Sequence, residues 1–208
     1  IGASGDAFLA KFDADGQRLW STYYGGSKAD FAFDCTVDAA GDVYLVGETD
    51  SPDQIATPGA HLAQYGGTDN IAYLAKFNSS GQRLWGTYYG SGGITRGRSC
   101  VLAPDEQSVY LLGQTRSAEQ IATPGAHQEA NAGGFDAYLV KFDAHGQRRW
   151  GTYLGGAGTD WGITCATGQD GSIYVGGWTE SATGIATPGA HQEAYGGGSD
   201  DAFLVKFS

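Results

Sequence analysis

Three sets of reactive side chains recur along this sequence, and their recurrence limits the chemistry they can do. Cys35, Cys100 and Cys165 stand 65 residues apart. Converging thiolates could hold zinc, and paired thiols could form a disulfide. Equivalent points of neighbouring repeat units lie beyond the roughly 7 Å between Cα atoms that a disulfide tolerates. The odd number also argues against a disulfide framework, so the thiols are expected to pack as small buried hydrophobes. His61, His127 and His191 each close an Ile-Ala-Thr-Pro-Gly-Ala-His block. Zinc needs three or four donors within about 2.3 Å of one point, and one histidine per unit on a peripheral loop does not converge. Each imidazole is expected to cap its own turn or pack on its own loop, with His145 solvated in a β-turn. Lys11, Lys76, Lys141 and Lys206 form a third series. Their stems are expected to lie over a neighbouring strand with the ammonium in solvent.

The carboxylates are less regular. Asp13-Ala14-Asp15-Gly16 looks like half a calcium loop, but its counterparts Asn78-Ser79-Ser80-Gly81 and Asp143-Ala144-His145-Gly146 lose the second carboxylate. The glycine that persists is what a tight turn needs. No metal site and no cofactor are expected, with one exception: acidic loops such as Ser199-Asp200-Asp201 could hold calcium weakly. Glycoside hydrolysis needs two carboxylates about 5–9 Å apart. Asp30 and Asp160 are the pair to test, although Thr95 takes that place in the unit between them. No Gly-x-Ser-x-Gly, Walker loop, His-Glu-x-x-His or Cys-x-x-Cys occurs, and no enzymatic activity is expected.

The elements that carry these residues follow from the repeat. Ala7-Phe8-Leu9-Ala10-Lys11-Phe12 returns from Ala72, Ala137 and Ala202, and Gly16-Gln17-Arg18 with Trp20 returns at Gly81 and Gly146. Units of about 65 residues therefore span 7–71, 72–136 and 137–201, with a fourth beginning at 202–208, all within a single array over 1–208. Each holds four short alternating segments bounded by Gly and Asp, in the first copy Ala7 to Phe12, Arg18 to Tyr24, Phe31 to Val37 and Val43 to Gly47. Four strands per unit with recurring aromatic and glycine positions predict an all-β chain of propeller blades. Within the long connection from Glu48 to Ile71, Thr57-Pro58 reads as an N-cap and first helical residue. A single helical turn from Pro58 to about Ala63 is expected.

The pattern Asp-Ala-Phe-Leu-x-Lys-Phe, then Gly-x-x-x-Trp-x-Thr-Tyr-Tyr-Gly-Gly, then Gly-x-Val-Tyr-Leu-x-Gly resembles the bacterial SBBP β-propeller repeat over the whole chain. The resemblance implies a structural module of a large secreted or surface-attached bacterial protein. It also implies a phasing, with the Cys35 strand innermost, then the Tyr44 strand, then Ala72 to Phe77, and Arg83 to Tyr89 outermost. On that phasing about three blades are present and both ends cut through a blade. Rings usually take four to eight blades, so the chain is expected to be a segment of a longer propeller or to be completed by another chain.

Composition narrows the partners. With 23 acidic against 12 basic side chains the net charge is −11, which disfavours nucleic acid and anionic membrane surfaces. No apolar run is long enough for a transmembrane helix. Function is better sought where the repeat is broken, since repeated residues build the blade and variable ones can carry specificity. Phe31 becomes Arg96 and then Trp161, and Glu48 becomes Gln114 and then Trp178. These six form the expected contact face, suited to sugar stacking or to a protein partner. The expected role is a non-catalytic scaffold, adhesion or protein-interaction module at the cell surface. Two alternatives stay open: self-association through open blade edges, and a propeller that binds or acts on polysaccharide.

Overall fold

A computed structural model of the chain describes residues 5–66 and 69–208. It is all-β, with thirteen strands in four antiparallel sheets arranged like the blades of a propeller. The first sheet pairs β1 (Ala7–Phe12) with β2 (Arg18–Tyr24). The second holds β3 (Asp30–Val37), β4 (Val43–Thr49), β5 (Ile71–Phe77) and β6 (Arg83–Tyr89) in chain order. The third repeats this with β7 (Thr95–Leu102), β8 (Ser108–Thr115), β9 (Asp136–Asp143) and β10 (Arg148–Leu154). The fourth contains β11 (Asp160–Thr167), β12 (Ile173–Thr179) and β13 (Asp201–Phe207). The strand order from the Cys35 strand outward is the expected one.

Local chemistry explains the turns. The side chain of Asp13 accepts the backbone N–H groups of Asp15 and Gln17 at 3.0 and 2.8 Å. Asn78 and Asp143 do the same for their own turns. This first position is therefore an Asx cap that closes the hairpin, which is why Asn serves as well as Asp. Each of β3, β7 and β11 then carries a β-bulge at the same place, between Ala32 and Asp34, Gly97 and Ser99, and Gly162 and Thr164. A bulge inserts an unpaired residue and bends the strand.

Three apolar clusters fill the three junctions between successive sheets. The first gathers Leu9, Tyr24, Leu45 and Tyr73, the second Val46, Leu74, Leu111 and Tyr138, and the third Leu112, Leu139, Val175 and Phe203. Polar links run across the same junctions. Trp20 and Trp85 donate their indole N–H to Ser79 O and Ala144 O in the hairpin turn of the following sheet, each at 3.0 Å. Gly81 and Gly146 sit under those rings, where a Cβ would come within 2.8 Å of the indole. Tyr24 and Tyr89 donate to Ile55 O and Ile121 O of the following sheet's loop at 2.9 and 2.7 Å.

The long connections cover the outermost strands. Thr57 N–H bonds Gly86 O at 2.9 Å and Tyr88 N–H bonds Leu62 O at 3.2 Å. The third sheet repeats both bonds with Thr123, Gly151, Tyr153 and Gln128. Covering an edge removes a template for unwanted strand pairing. The expected helical turn at Pro58 is not formed. Ala60 N–H bonds Thr57 O at 3.1 Å with Gly59 at φ 81°, which is a type II β-turn with Pro and Gly at its two central positions. Gly125 and Gly189 repeat it at φ 79° and 83°.

Candidate functional site

The six non-repeating positions fall into three cross-strand pairs at one register: Phe31 opposite Glu48, Arg96 opposite Gln114, and Trp161 opposite Trp178. Adjacent inner strands bring them into one network. The Glu48 carboxylate reaches from the second sheet to the third, 3.4 Å from Arg96 Nε and 3.9 Å from Arg98 Nη2. Both guanidiniums lie beside the Trp161 ring, at 5.9 and 6.0 Å from its centroid. Trp161 in turn stacks on Trp178, with centroids 4.8 Å apart and planes at 22°. Phe31 stands at the end of the series, half exposed.

Sequence reasoning missed three members. Arg98 is the extra residue of the β7 bulge and packs over Phe33 at 4.2 Å. Its counterparts are Phe33 and Ile163, so it varies from unit to unit like Arg96, and that variation was the available signal. Phe135 meets the edge of Trp161 at 5.9 Å and carries Arg116 over its face at 4.2 Å. Both vary as well, Arg116 standing where the other units have Asp50 and Glu180, and Phe135 where they have Asn70 and Asp200, so the same signal was available.

The electrostatics are those of a partly dried site. Burial pushes the Glu48 carboxyl above its ordinary range, although Arg98 and Arg96 pull the other way. Burial lowers the Arg98 guanidinium, with Glu48 opposing and Arg96 adding to the shift. Ten buried side-chain polar atoms among the described residues have no hydrogen-bond partner, and six belong to this network: Glu48 Oε2, Arg96 Nε, Arg98 Nε, Trp161 Nε1 and both amide atoms of Gln114. Glu48 Oε2 still has its two ion pairs. Gln114 has nothing and is fully buried. A buried polar group without a partner is costly and calls for an explanation.

The other candidates have structural places. Asp30 accepts hydrogen bonds from Gly26 N–H at 2.8 Å, from Ser51 Oγ at 2.9 Å and from the Thr49 hydroxyl. Asp160 does the same with Gly156, Ser181 and Thr179. Each carboxylate is thus saturated within its own blade. Thr95 replaces them by pairing with Thr115 at 2.8 Å between hydroxyl oxygens. Asp136 lies beside Asp160 across Gly155, where a Cβ would meet both carboxyls at 2.7 Å. Burial raises Asp136 to about 6, with the Asp160 charge adding to the shift.

Cys100 is buried, Cys165 half-buried and Cys35 exposed, all three as free thiols. Burial therefore describes one of the three fully; Cys35 departs from the expectation. Among the described residues no group of three or more His, Cys, Asp and Glu is placed to hold a metal ion. Two of the histidines do not stay on their own loops. His61 crosses to Phe142 of the third sheet, centroids 5.8 Å apart, as well as touching Tyr89. His127 crosses to Phe207 of the fourth at 5.6 Å. Burial lowers His61 to about 4, and Arg148 adds to the shift. Three of the four lysine ammonium groups are engaged rather than left to solvent as expected. Lys76 pairs with Asp38 and Asp42 at 3.1 Å and lies over Tyr44 at 4.8 Å, while Lys141 and Lys206 lie over Tyr110 and Tyr174. The repeated tyrosine of the second strand supplies the ring that draws each cation inward. A cleft of about 270 Å³ opens elsewhere, lined by Tyr24, Phe77 and Arg83, the counterparts of the residues around His61.

No family model matches the chain, and no curated protein does. The solved structures to which the chain shows similarity include two propeller-like proteins. Hydrazine synthase of Kuenenia stuttgartiensis is 11% identical over 84% of this chain and 44% of its own, with a TM-score of 0.49. A gluconolactonase of Xanthomonas campestris is 17% identical over 80% of this chain and 61% of its own, with a TM-score of 0.30. The chain thus spans less than two thirds of either protein. Likeness at this level carries no argument about what the chain does.

Proposed function

We propose that this chain is a non-catalytic propeller module of SBBP type, belonging to a secreted or cell-surface protein. It works as a rigid scaffold for adhesion or protein interaction, and its contact face is formed by Phe31, Glu48, Arg96, Gln114, Trp161 and Trp178. The observation that supports this face is the concentration there of six of the ten unpartnered buried side-chain polar atoms among the described residues. A scaffold role is favoured over polysaccharide hydrolysis because Asp30 and Asp160, the expected pair, spend their oxygens on their own blades. The test is binding of the immobilised chain to a panel of bacterial envelope polysaccharides and proteins. Trp178→Ala and Arg98→Ala should each weaken binding at least about tenfold, the scale of a lost interface anchor, with melting unchanged. Binding equal to the parent in both variants would sink the contact face, and release of reducing ends would sink the non-catalytic reading.

A further inference from the structure

We infer that the junction between the third and fourth sheets, at Gln114 and Trp161, is a binding site for a sugar acid, a ring carrying a carboxylate and neighbouring hydroxyls. The inference rests on the contact face proposed above and names what that face takes up.

The two junctions can be compared position by position, because they pack alike. A Cβ on Gly97 would lie 2.8 Å from Gly47 O, and one on Gly162 would lie 2.8 Å from Gly113 O. At the second–third junction the strand-end pair is Glu48 and Arg96, and the protein's own carboxylate meets the cations there. At the third–fourth junction the same two register positions hold Gln114 and Trp161. The carboxylate is gone, and an amide and an indole stand in place of an ion pair. Neither finds a partner within the protein, although Gln114 is fully buried and Trp161 Nε1 is buried as well.

The unsatisfied atoms specify complementary chemistry. Three N–H donors have neither a hydrogen bond nor an ion pair, Arg98 Nε, Gln114 Nε2 and Trp161 Nε1, while Arg96 Nε already faces the Glu48 carboxylate at 3.4 Å. One acceptor is free of both, Gln114 Oε1, because Glu48 Oε2 holds its two ion pairs. Donors beside two guanidiniums call for an oxyanion, and charge-assisted bonds of this kind are the strong ones. The Gln114 acceptor calls for a hydroxyl. The half-buried Trp178, stacked on Trp161, offers its remaining flat apolar surface to a ring. Against a whole-chain charge of −11, three guanidiniums, Arg96, Arg98 and Arg116, around the single Glu48 carboxylate leave this spot locally cationic. A ring bearing a carboxylate and hydroxyls satisfies all three demands. A neutral sugar lacks the oxyanion, and a simple carboxylate lacks the hydroxyl and the ring.

Sodium galacturonate titrated into the chain should give a saturable change in tryptophan fluorescence and shift the indole N–H resonance of Trp161. Galactose and acetate should bind at least about tenfold more weakly, the cost of one charge-assisted hydrogen bond. Gln114→Leu and Arg98→Ala should each cost a similar factor; Arg98, half-buried on the bulge, serves if the core variant fails to fold. Equal affinity for galactose and galacturonate would overturn the anion. No response to galacturonate, with the Trp161 indole N–H already protected from exchange in the free chain, would mean ordered water only. Envelope binding lost in Trp178→Ala without a response to galacturonate would remove the sugar acid and leave the contact face standing. Envelope binding retained in that variant would remove both.

Discussion

The outer edge of each blade and the inner-strand face treat the same kinds of residue in opposite ways. At the edge, Arg83 and Arg148 donate to the carbonyls of Gln54 and Ile55 and of Gln120 and Ile121, and so hold the long loops in place. Tyrosine hydroxyls, threonines and loop backbone complete the bonding there. On the face, Arg98 leaves its Nε–H unbonded beside an unpartnered amide and indole, and Arg96 Nε meets only the Glu48 carboxylate at 3.4 Å. The edge repeats from sheet to sheet and is saturated; the face varies and is not. The same guanidinium chemistry therefore serves stability in one place and, in the proposed contact face, ligand capture in the other.

The sharpest way to break this contrast is to unsaturate one of the repeated, fully bonded carboxylates at the head of an inner strand. Asp160→Ala strands three donors and should cost on the order of 3 kcal/mol, read as a lowered midpoint in urea unfolding. The second–third junction carries Ile71 and Thr95 where the third–fourth carries Asp136 and Asp160. The double variant Asp136→Ile with Asp160→Thr should therefore cost less than its two single changes summed, because the sites share one contact around Gly155.

A smaller effect comes from pH. Asp136 is raised to about 6 in the fold, so the folded state holds a proton that the unfolded chain gives up near the ordinary aspartate value of about 3.9. That contribution is fully present below the unfolded value and is lost as pH rises through 6. Asp136→Asn should flatten a decline of about 1–3 kcal/mol between pH 4 and 7, measured by urea midpoints across that range. His61 runs the other way. Lowered to about 4, it stabilises the fold above its unfolded value of about 6.5 and loses this as pH falls toward 4. His61→Phe should remove that acid-side loss, giving a melting temperature less sensitive to pH below 6.

On the face, Trp178→Ala should change stability by less than about 1 kcal/mol while abolishing ligand binding. A large stability loss there would show that the Trp pair belongs to the core rather than the contact surface.

Much of this was legible in the sequence, for a physical reason. Strand alternation and turn glycines are local, so the segments from Ala7 to Val43 and their copies could be read directly. The shared register of the six non-repeating positions was legible through the repeat, since equivalent positions of successive units pair alike. What escaped reading depends on where a side chain travels. His61 and His127 cross to the next sheet, and no local pattern encodes that path. Lys76 finds Asp38 and Asp42 across a strand pair. Arg98 was hidden by the bulge, which breaks the alternation used to assign faces. Thr57-Pro58 was read as a helix start because those residues suit one. Gly59, directly after the proline, was the signal for a type II turn.

The indole links between sheets also set a timetable. Trp20 bonds to a carbonyl 59 residues further along, and Trp85 does likewise. During synthesis at about 5–20 residues per second, each of these rings waits roughly 3–12 seconds for its acceptor to be made. A growing array therefore carries one unfinished joint at its newest end while the older sheets behind it are already locked.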